Sequence, residues 1–82
     1  MLKYPQEVSV MDKITFNKLL GLEISKLRHD LNMSQEEFGE IVGINRTYIG
    51  AIERGEKSIS AFNLYRIISA FDVNLEQFFS NI

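Results

Sequence analysis

The fold of this chain is decided by the segment SQEEFGEIVGINRTYIGAIERG, residues 34–55. It predicts two short helices joined by a turn over residues 43–45, because an N-cap residue precedes each helix and a glycine follows each. Ser34 and Glu37 have the spacing of a capping box, in which the serine caps the amide of the glutamate and the glutamate reaches back. Asn45 is expected to cap the second helix. The segment is therefore predicted to be a pair of helices around a tight turn.

Two glycines in this segment constrain how the helices meet. Gly39 lies in the middle of the first helix, where glycine costs about 1 kcal/mol relative to alanine. The cost is explained if the second helix crosses close to Gly39, since a larger side chain would hold the helices apart. Gly43 is expected to take a left-handed conformation, which glycine adopts without strain. Ile49 and Ile52 would then pack the second helix against the body of the protein.

Apolar periodicity on both sides of this segment predicts three more helices and an all-α fold. The first helix is expected over residues 15–31. The fourth begins after the N-cap Ser60, and the fifth runs from Leu75, after the N-cap Asn74, to about Asn81. The side chains expected to face the core are Leu20, Ile24, Leu27 and Leu31 in the first helix, Phe38, Ile41 and Val42 in the second, and Leu64, Ile67, Ile68 and Phe71 in the fourth.

Length and composition favour one small domain. The 82 residues contain no cysteine, so no disulfide supports a core that a chain of this size keeps small. Residues 12–82 are expected to form the domain. Residues 1–11 hold the only proline and no helical period, and are expected to be a flexible tail without the features of a signal peptide. Lack of cysteine is compatible with a cytoplasmic location.

The net charge of −2 does not by itself favour binding to nucleic acid, whose phosphates attract cations. The placement of the charges matters more than their sum. Acidic side chains cluster in residues 36–40, whereas Arg46, Arg54 and Lys57 lie close together in the sequence. A basic edge on an acidic body is consistent with this pattern.

The geometry of the two central helices suggests a way of reading DNA. A helix held by Ile49 and Ile52 leaves its N-terminal residues Arg46, Thr47 and Tyr48 facing outward, and such a helix can enter the major groove. The guanidinium of Arg46 fits the O6 and N7 atoms of guanine. Thr47 and Tyr48 are expected to contact bases or phosphates. For Tyr48 the alternative is partial packing against the second helix.

Residues 20–79 resemble the lambda-repressor-like helix-turn-helix proteins (Cro/C1-type, Xre-family), through the string LRHDLNMSQEEFGEIVGINRTYIGAIERGEKSISAFNLYRIISAFDVNLEQFF. Within that family, NRTYIGAIERG is most similar to the controller (C) proteins of restriction–modification systems. The resemblance implies a five-helix DNA-binding domain and a transcriptional regulator that binds double-stranded operators as a homodimer. Gly50 and Ala51 replace a more polar pair in the recognition helix, so the operator sequence does not carry over. Asp72 stands where relatives have glycine.

The resemblance also implies roles for residues around the recognition helix. Gln35 is expected on a DNA phosphate, helped by the positive end of its helix dipole. Asn45, Lys57 and Ser58 are further candidates for contacts to the DNA backbone. Relatives pair an arginine late in the first helix with the glutamate before the arginine-glycine end of the recognition helix. Arg28 and Glu53 are therefore expected to form a partly buried structural ion pair.

Two further surfaces are suggested by residues that the domain does not obviously need. Apolar side chains near the C-terminus exceed the requirement of a small core, so some are expected to form a dimer interface; the alternative is a core within one chain. These residues are Phe71, Leu75, Phe78, Phe79 and Ile82. Glu36, Glu37 and Glu40 are either a solvated helix face or an activating patch that contacts RNA polymerase.

Other classes of function are less consistent with the sequence. A single histidine, no cysteine and no glycine-rich phosphate loop leave no set of residues for catalysis, so no enzyme activity, metal or cofactor is expected. A phage or host repressor of the same fold is one alternative regulator. An antitoxin-like protein-interaction module is the competing reading from another class, although an antitoxin often carries an added segment for its toxin.

Overall fold

The computed structural model describes residues 11–82, so the predicted tail lies outside the described residues except for Met11. The described chain forms five helices and no strand. They are α1 (Lys13–Asp30), α2 (Gln35–Val42), α3 (Arg46–Glu53), α4 (Ala61–Ala70) and α5 (Leu75–Ser80). The predicted all-α, five-helix fold is confirmed. None of these helices is long and apolar enough to cross a bilayer.

The predicted caps explain where the helices begin. Ser34 Oγ accepts from the Glu37 amide over 3.0 Å, and Glu37 Oε1 accepts from the Ser34 amide over 2.9 Å, which completes the capping box. The backbone amide of Ser34, and after it the Ser34 side chain, lower the pKa of the Glu37 carboxyl. Asn45, Ser60 and Asn74 cap α3, α4 and α5 as predicted. Only α1 begins earlier than expected, because Asp12 accepts from the Thr15 amide.

Left-handed residues end the helices. Gly43 and Gly55 have φ angles of 73° and 76° and follow α2 and α3, as the sequence predicts. Asn32 and Asp72 have φ angles of 56° and 51° after α1 and α4. Asparagine and aspartate tolerate this conformation better than other non-glycine residues. Asp72 can therefore occupy a position where relatives use glycine.

One core supports all five helices. Phe71 stacks on the fully buried Phe38 with 5.1 Å between ring centroids, which joins α4 to α2. The buried apolar side chains are Leu20, Ile24, Phe38, Val42, Ile44, Ile49, Ile52, Ile67 and Phe78. Since α2, α3 and the turn between them supply five of these nine residues, the helix pair is part of the core and not an appendage.

Two residues predicted to face the core are exposed instead. Ile41 is 53% exposed, because the inward side of α2 is formed by Phe38 and Val42, one helical turn apart, and Ile41 lies to one side of them. Leu31 is exposed as well, since it follows the last residue of α1, where the chain already turns away. The buried side of α1 continues instead through Arg28. A search for apolar periodicity misses this residue because it is charged.

Candidate nucleic-acid interface

The turn between α2 and α3 passes directly over Gly39. A Cβ atom on Gly39 would lie 2.3 Å from the carbonyl oxygen of Ile44 and 3.5 Å from the amide nitrogen of Arg46. The predicted close crossing is therefore present, but the crossing element is the turn and the first residue of α3. Ile44 is buried beneath this contact. The angle between the two helices is consequently fixed by backbone contact, which side chains cannot relax.

A second backbone contact holds α3 against α1. A Cβ atom on Gly21 would lie 2.1 Å from the carbonyl oxygen of Ile52 and 2.9 Å from that of Glu53. Ile49 and Ile52 are buried on the same side of α3, as predicted. The sequence analysis missed Gly21, although a glycine within a long helix is itself a signal of close approach. Together, α1 and α2 hold α3 in place, and the N-terminal end of α3 faces solvent.

The exposed N-terminal end of α3 carries Arg46 and Thr47. Arg46 Nη1 lies 3.3 Å from Glu36 Oε2, and these side chains are 67% and 60% exposed. An ion pair so open to water contributes about 0–1 kcal/mol. Thr47 is exposed, and its amide donates to Asn45 Oδ1 over 2.7 Å. Arg46 can therefore exchange Glu36 for another partner at little cost.

Tyr48 differs from its two neighbours because it is half-buried and packs on the core. Its hydroxyl donates to the Ser58 carbonyl oxygen over 2.6 Å. The sequence analysis gave partial packing against the second helix as the alternative role of Tyr48. The side chain is partly packed, but its hydroxyl contacts the loop after α3. With the hydroxyl engaged inside the chain, the ring is the part of Tyr48 left to face a ligand.

Arg28 and Glu53 form an ion pair between α1 and α3. Arg28 Nε and Nη2 donate to the two carboxylate oxygens of Glu53 over 2.7 and 2.9 Å, and the side chains are 11% and 7% exposed. Arg28 Nη1 also donates to the Met33 carbonyl oxygen over 2.8 Å. Burial raises the pKa of Glu53, but the hydrogen bonds from Arg28 and Gln35 outweigh it, so this pKa lies below its ordinary value.

Gln35 extends the ion pair to the start of α2. Its Nε2 donates to Glu53 Oε1 over 3.1 Å. A Cβ atom on Gly50 would lie 3.2 Å from Gln35 Oε1 and 3.1 Å from Arg54 Nη1, so the glycine makes room for both side chains. Gly50 thus leaves space over α3 for the ends of both side chains.

The loop over residues 54–60 places two more predicted contacts beside α3. Lys57 and Ser58 are exposed. Arg54 is paired with Glu56 through bonds of 2.8 and 3.1 Å, both side chains being more than half exposed. Lys57 is the other cation of this loop. Among residues 11–82, no carboxylate lies within salt-bridge distance of it.

The three predicted acidic residues of α2 are exposed but differ in what they do. Glu37 serves the capping box and Glu36 pairs with Arg46. Glu40 forms no ion pair within the described residues. Residues 11–82 also hold no cluster of three or more histidine, cysteine or acidic side chains suited to a metal ion.

The predicted dimer residues divide into two groups. Phe78 is buried in the core of its own chain, as the alternative of a core within one chain predicts. Leu75 is 50% exposed, and Phe71, Phe79 and Ile82 are half-buried. An apolar depression of about 250 Å³ is lined by Ala61, Leu64, Tyr65, Ile68, Leu75 and Phe79. The sequence analysis did not select Tyr65, an exposed residue of α4 that lines this apolar face.

Comparisons with known proteins agree with this geometry. Residues 24–78 match the helix-turn-helix family. Control protein C.MunI of Mycoplasma sp is 35% identical over 63 residues, which cover 76% of this chain and 85% of that protein. Control protein C.SmaI of Serratia marcescens is 33% identical over 58 residues, 71% of this chain and 69% of that protein.

A solved structure shows the same arrangement of helices. The restriction–modification controller protein C.AhdI from Aeromonas hydrophila superposes with a TM-score of 0.72 at 26% identity, covering 78% of this chain and 97% of that one. The resemblance seen in the sequence is thereby confirmed. By its matched residues, its relatives and its fold, the chain belongs to the helix-turn-helix family, and restriction–modification control proteins are among its relatives.

Proposed function

We propose that this protein binds a specific DNA operator as a homodimer and regulates transcription of the genes of a restriction–modification system. The observation that carries the proposal is the mounting of α3, clamped by backbone contacts at Gly21 and Gly39 with Arg46 and Thr47 exposed at its outer end. A helix presented in this way fits the major groove. The control-protein relatives support the narrower assignment, and such a regulator works in the cytoplasm.

In this proposal Arg46 and Thr47 read the bases. A bidentate contact from arginine to guanine is worth about 1–3 kcal/mol of discrimination. That exceeds the contribution of the exposed pair with Glu36, so exchange of the carboxylate for a guanine is favourable. The ring of Tyr48 lies beside them and supplies an apolar contact.

Contacts to DNA phosphates come from both sides of α3. Gln35 and Asn45 lie at the N-terminal ends of α2 and α3, where backbone amides and the helix dipole favour an anion. Lys57 and Ser58 approach from the loop after α3. The net charge of −2 does not oppose this arrangement by itself, because the placement of the charges matters more than their sum, and Glu37 is engaged in the capping box.

A second copy of the chain is the proposed partner at the apolar face of α4 and α5. The core of a chain this short is small, and burying Leu75 and Phe79 against their counterparts would add to it. A two-fold interface there would set the two recognition helices about 34–36 Å apart, one turn of DNA.

The test is selection of bound sequences from a pool of random duplexes, followed by footprinting on the enriched duplex. We expect two half-sites related by two-fold symmetry and centred about 10 base pairs apart. Placed before a reporter gene, this duplex should make expression depend on the protein. Enrichment of no sequence, with capture of a toxin-like partner instead, would contradict the proposal and favour the antitoxin-like alternative.

The acidic face of α2 is the proposed contact for RNA polymerase. Glu40 is exposed, and unlike Glu36 it forms no side-chain hydrogen bond to α3 within the described residues. Glu40→Gln should therefore lower activated expression from the reporter several-fold without lowering operator affinity. Equal activation by Glu40→Gln and the parent would leave these residues as a solvated helix face.

A further inference from the structure

The loop between α3 and α4 is tied to the body of the protein at Ser58 from two sides. The hydroxyl of Tyr48 donates to the Ser58 carbonyl oxygen over 2.6 Å. The Nδ2 atom of Asn17 donates to Ser58 Oγ over 3.1 Å. Asn17 belongs to α1 and Tyr48 to α3. Ser58 is thus held by two helices even though its side chain is exposed.

The direction of the bond from Asn17 determines what the Ser58 hydroxyl can do. An amide NH₂ group only donates, so Ser58 Oγ is the acceptor in this pair and its own proton remains available. The carbonyl of the same residue is already occupied by Tyr48. The side chain of Ser58 therefore offers a hydrogen-bond donor, and a phosphate oxygen, which only accepts, is its natural complement.

The same part of α1 also brings positive charge to this place. A Cβ atom on Gly55 would lie 2.7 Å from Lys18 Cγ and 2.9 Å from Lys18 Cα, so the loop rests directly on the residue after Asn17. Lys18 and Lys57 are exposed, and neither forms an ion pair within residues 11–82. A hydroxyl donor that follows Lys57 in the chain and is bonded to the residue before Lys18 suits a phosphate and not a neutral base edge.

We propose that Asn17 is a positioning residue for DNA binding, which orients the Ser58 hydroxyl as a donor to one backbone phosphate beside Lys18 and Lys57. The proposal rests on the proposed function and extends the DNA-contacting surface from the helix pair to α1. Asn17 acts through Ser58 and does not itself touch DNA. Tyr48 supports the same contact by fixing the Ser58 backbone.

The test compares Asn17→Ala, Ser58→Ala and the double variant on the duplex enriched by the parent protein. A hydrogen bond to a charged group corresponds to about tenfold in affinity or more, so Ser58→Ala should bind at least roughly tenfold more weakly. Asn17→Ala should lose less, about threefold. Because Asn17 acts only through Ser58, the double variant should bind like Ser58→Ala alone. Asn17→Asp should be weaker than Asn17→Ala, since its carboxylate accepts the hydrogen bond of the Ser58 hydroxyl and repels the phosphate.

A second measurement uses duplexes in which one phosphate at a time is replaced by a neutral methylphosphonate. If Asn17 and Ser58 had only a structural role, the loss of affinity at each position would be the same for the parent and the variants. At one position the parent should lose affinity, while Ser58→Ala and Asn17→Ala should lose clearly less. Gln77→Ala, an exposed amide on α5, is the matched control and should behave like the parent throughout. Additive losses in the double variant, or unchanged affinity of Ser58→Ala, would overturn this proposal alone. A parent protein that binds no duplex would overturn the proposed function with it.

Discussion

At the scale of single residues, the proposed recognition surface would combine two kinds of contact that mutation can separate. Arg46 is placed where a planar guanidinium can meet a base edge, whereas Lys57 is an exposed ammonium in the loop after α3. A guanine edge differs from every other base, but a phosphate is the same everywhere along DNA. Specificity and salt dependence should therefore respond to different residues.

Arg46→Ala should cost roughly 1–3 kcal/mol on the operator and relax discrimination at one base pair. Lys57→Ala should weaken binding to operator and scrambled duplexes alike, and should reduce the slope of affinity against salt by about one. Binding titrations at several salt concentrations measure both effects. If Arg46→Ala lowers both affinities equally, Arg46 is a phosphate contact and the assignment of the reading residues is wrong.

The ion pair of Arg28 and Glu53 is expected to affect the stability of the fold. Removing either partner alone should cost roughly 3–5 kcal/mol, because the survivor is left charged in a nearly dry site. Replacing both with apolar residues should cost much less than the sum of the single changes. Denaturant unfolding of the three variants checks this, and single variants as stable as the parent would contradict it.

The same pair predicts a dependence of stability on pH. The pKa of Glu53 is lower in the folded protein than its ordinary value of 4.5. Its contribution is therefore complete above the unfolded pKa and is lost as the pH falls through the folded pKa. Glu53→Gln should flatten the acid side of the stability curve relative to the parent. An unchanged acid limb would mean that other carboxylates govern acid unfolding.

At the scale of helices, what could be predicted from the residues alone, without the family resemblance, was local. Caps such as Ser34 and the left-handed Gly43 act within one turn of chain, so their residue types identify them directly. The contacts of Gly21 and Tyr48 were missed because each depends on a partner more than nine residues away that only the folded chain brings near. The exposure of Ile41 was missed because periodicity cannot give the rotation of an eight-residue helix to within one residue.

Two glycines in helices allow this argument to be tested. Gly21→Ala should destabilise the protein by roughly 1–2 kcal/mol, because its Cβ would overlap the backbone of α3 and outweigh the gain in helix propensity. Gly50→Ala is the matched control, since its Cβ would meet only the ends of Gln35 and Arg54 side chains. It should be stabilising by up to about 1 kcal/mol. Thermal unfolding distinguishes the two, and equal effects would disprove a special contact at Gly21.

At the scale of the whole molecule, the proposed function requires both the exposed end of α3 and the apolar face of α4 and α5. The reading helix lies on one side and the apolar face of α4 and α5 holds exposed side chains that a single chain leaves in water. One recognition helix reaches only a few base pairs, so an operator long enough to be distinctive requires two helices at a fixed distance. Self-association through the apolar face would meet both needs at once.

Leu75→Glu tests this link, because Leu75 is 50% exposed and its replacement removes nothing from the core of one chain. A carboxylate facing its own counterpart across a two-fold interface is both desolvated and repelled. Sedimentation should show the parent at about twice 9.5 kDa and Leu75→Glu near 9.5 kDa at micromolar concentration. Operator affinity should fall with the mass, since two linked half-sites bind far more tightly than one. Ile14→Glu, a change at a still more exposed apolar residue of α1, should leave the mass unchanged. A monomeric parent with full operator affinity would separate DNA reading from self-association and remove the dimer from the proposal.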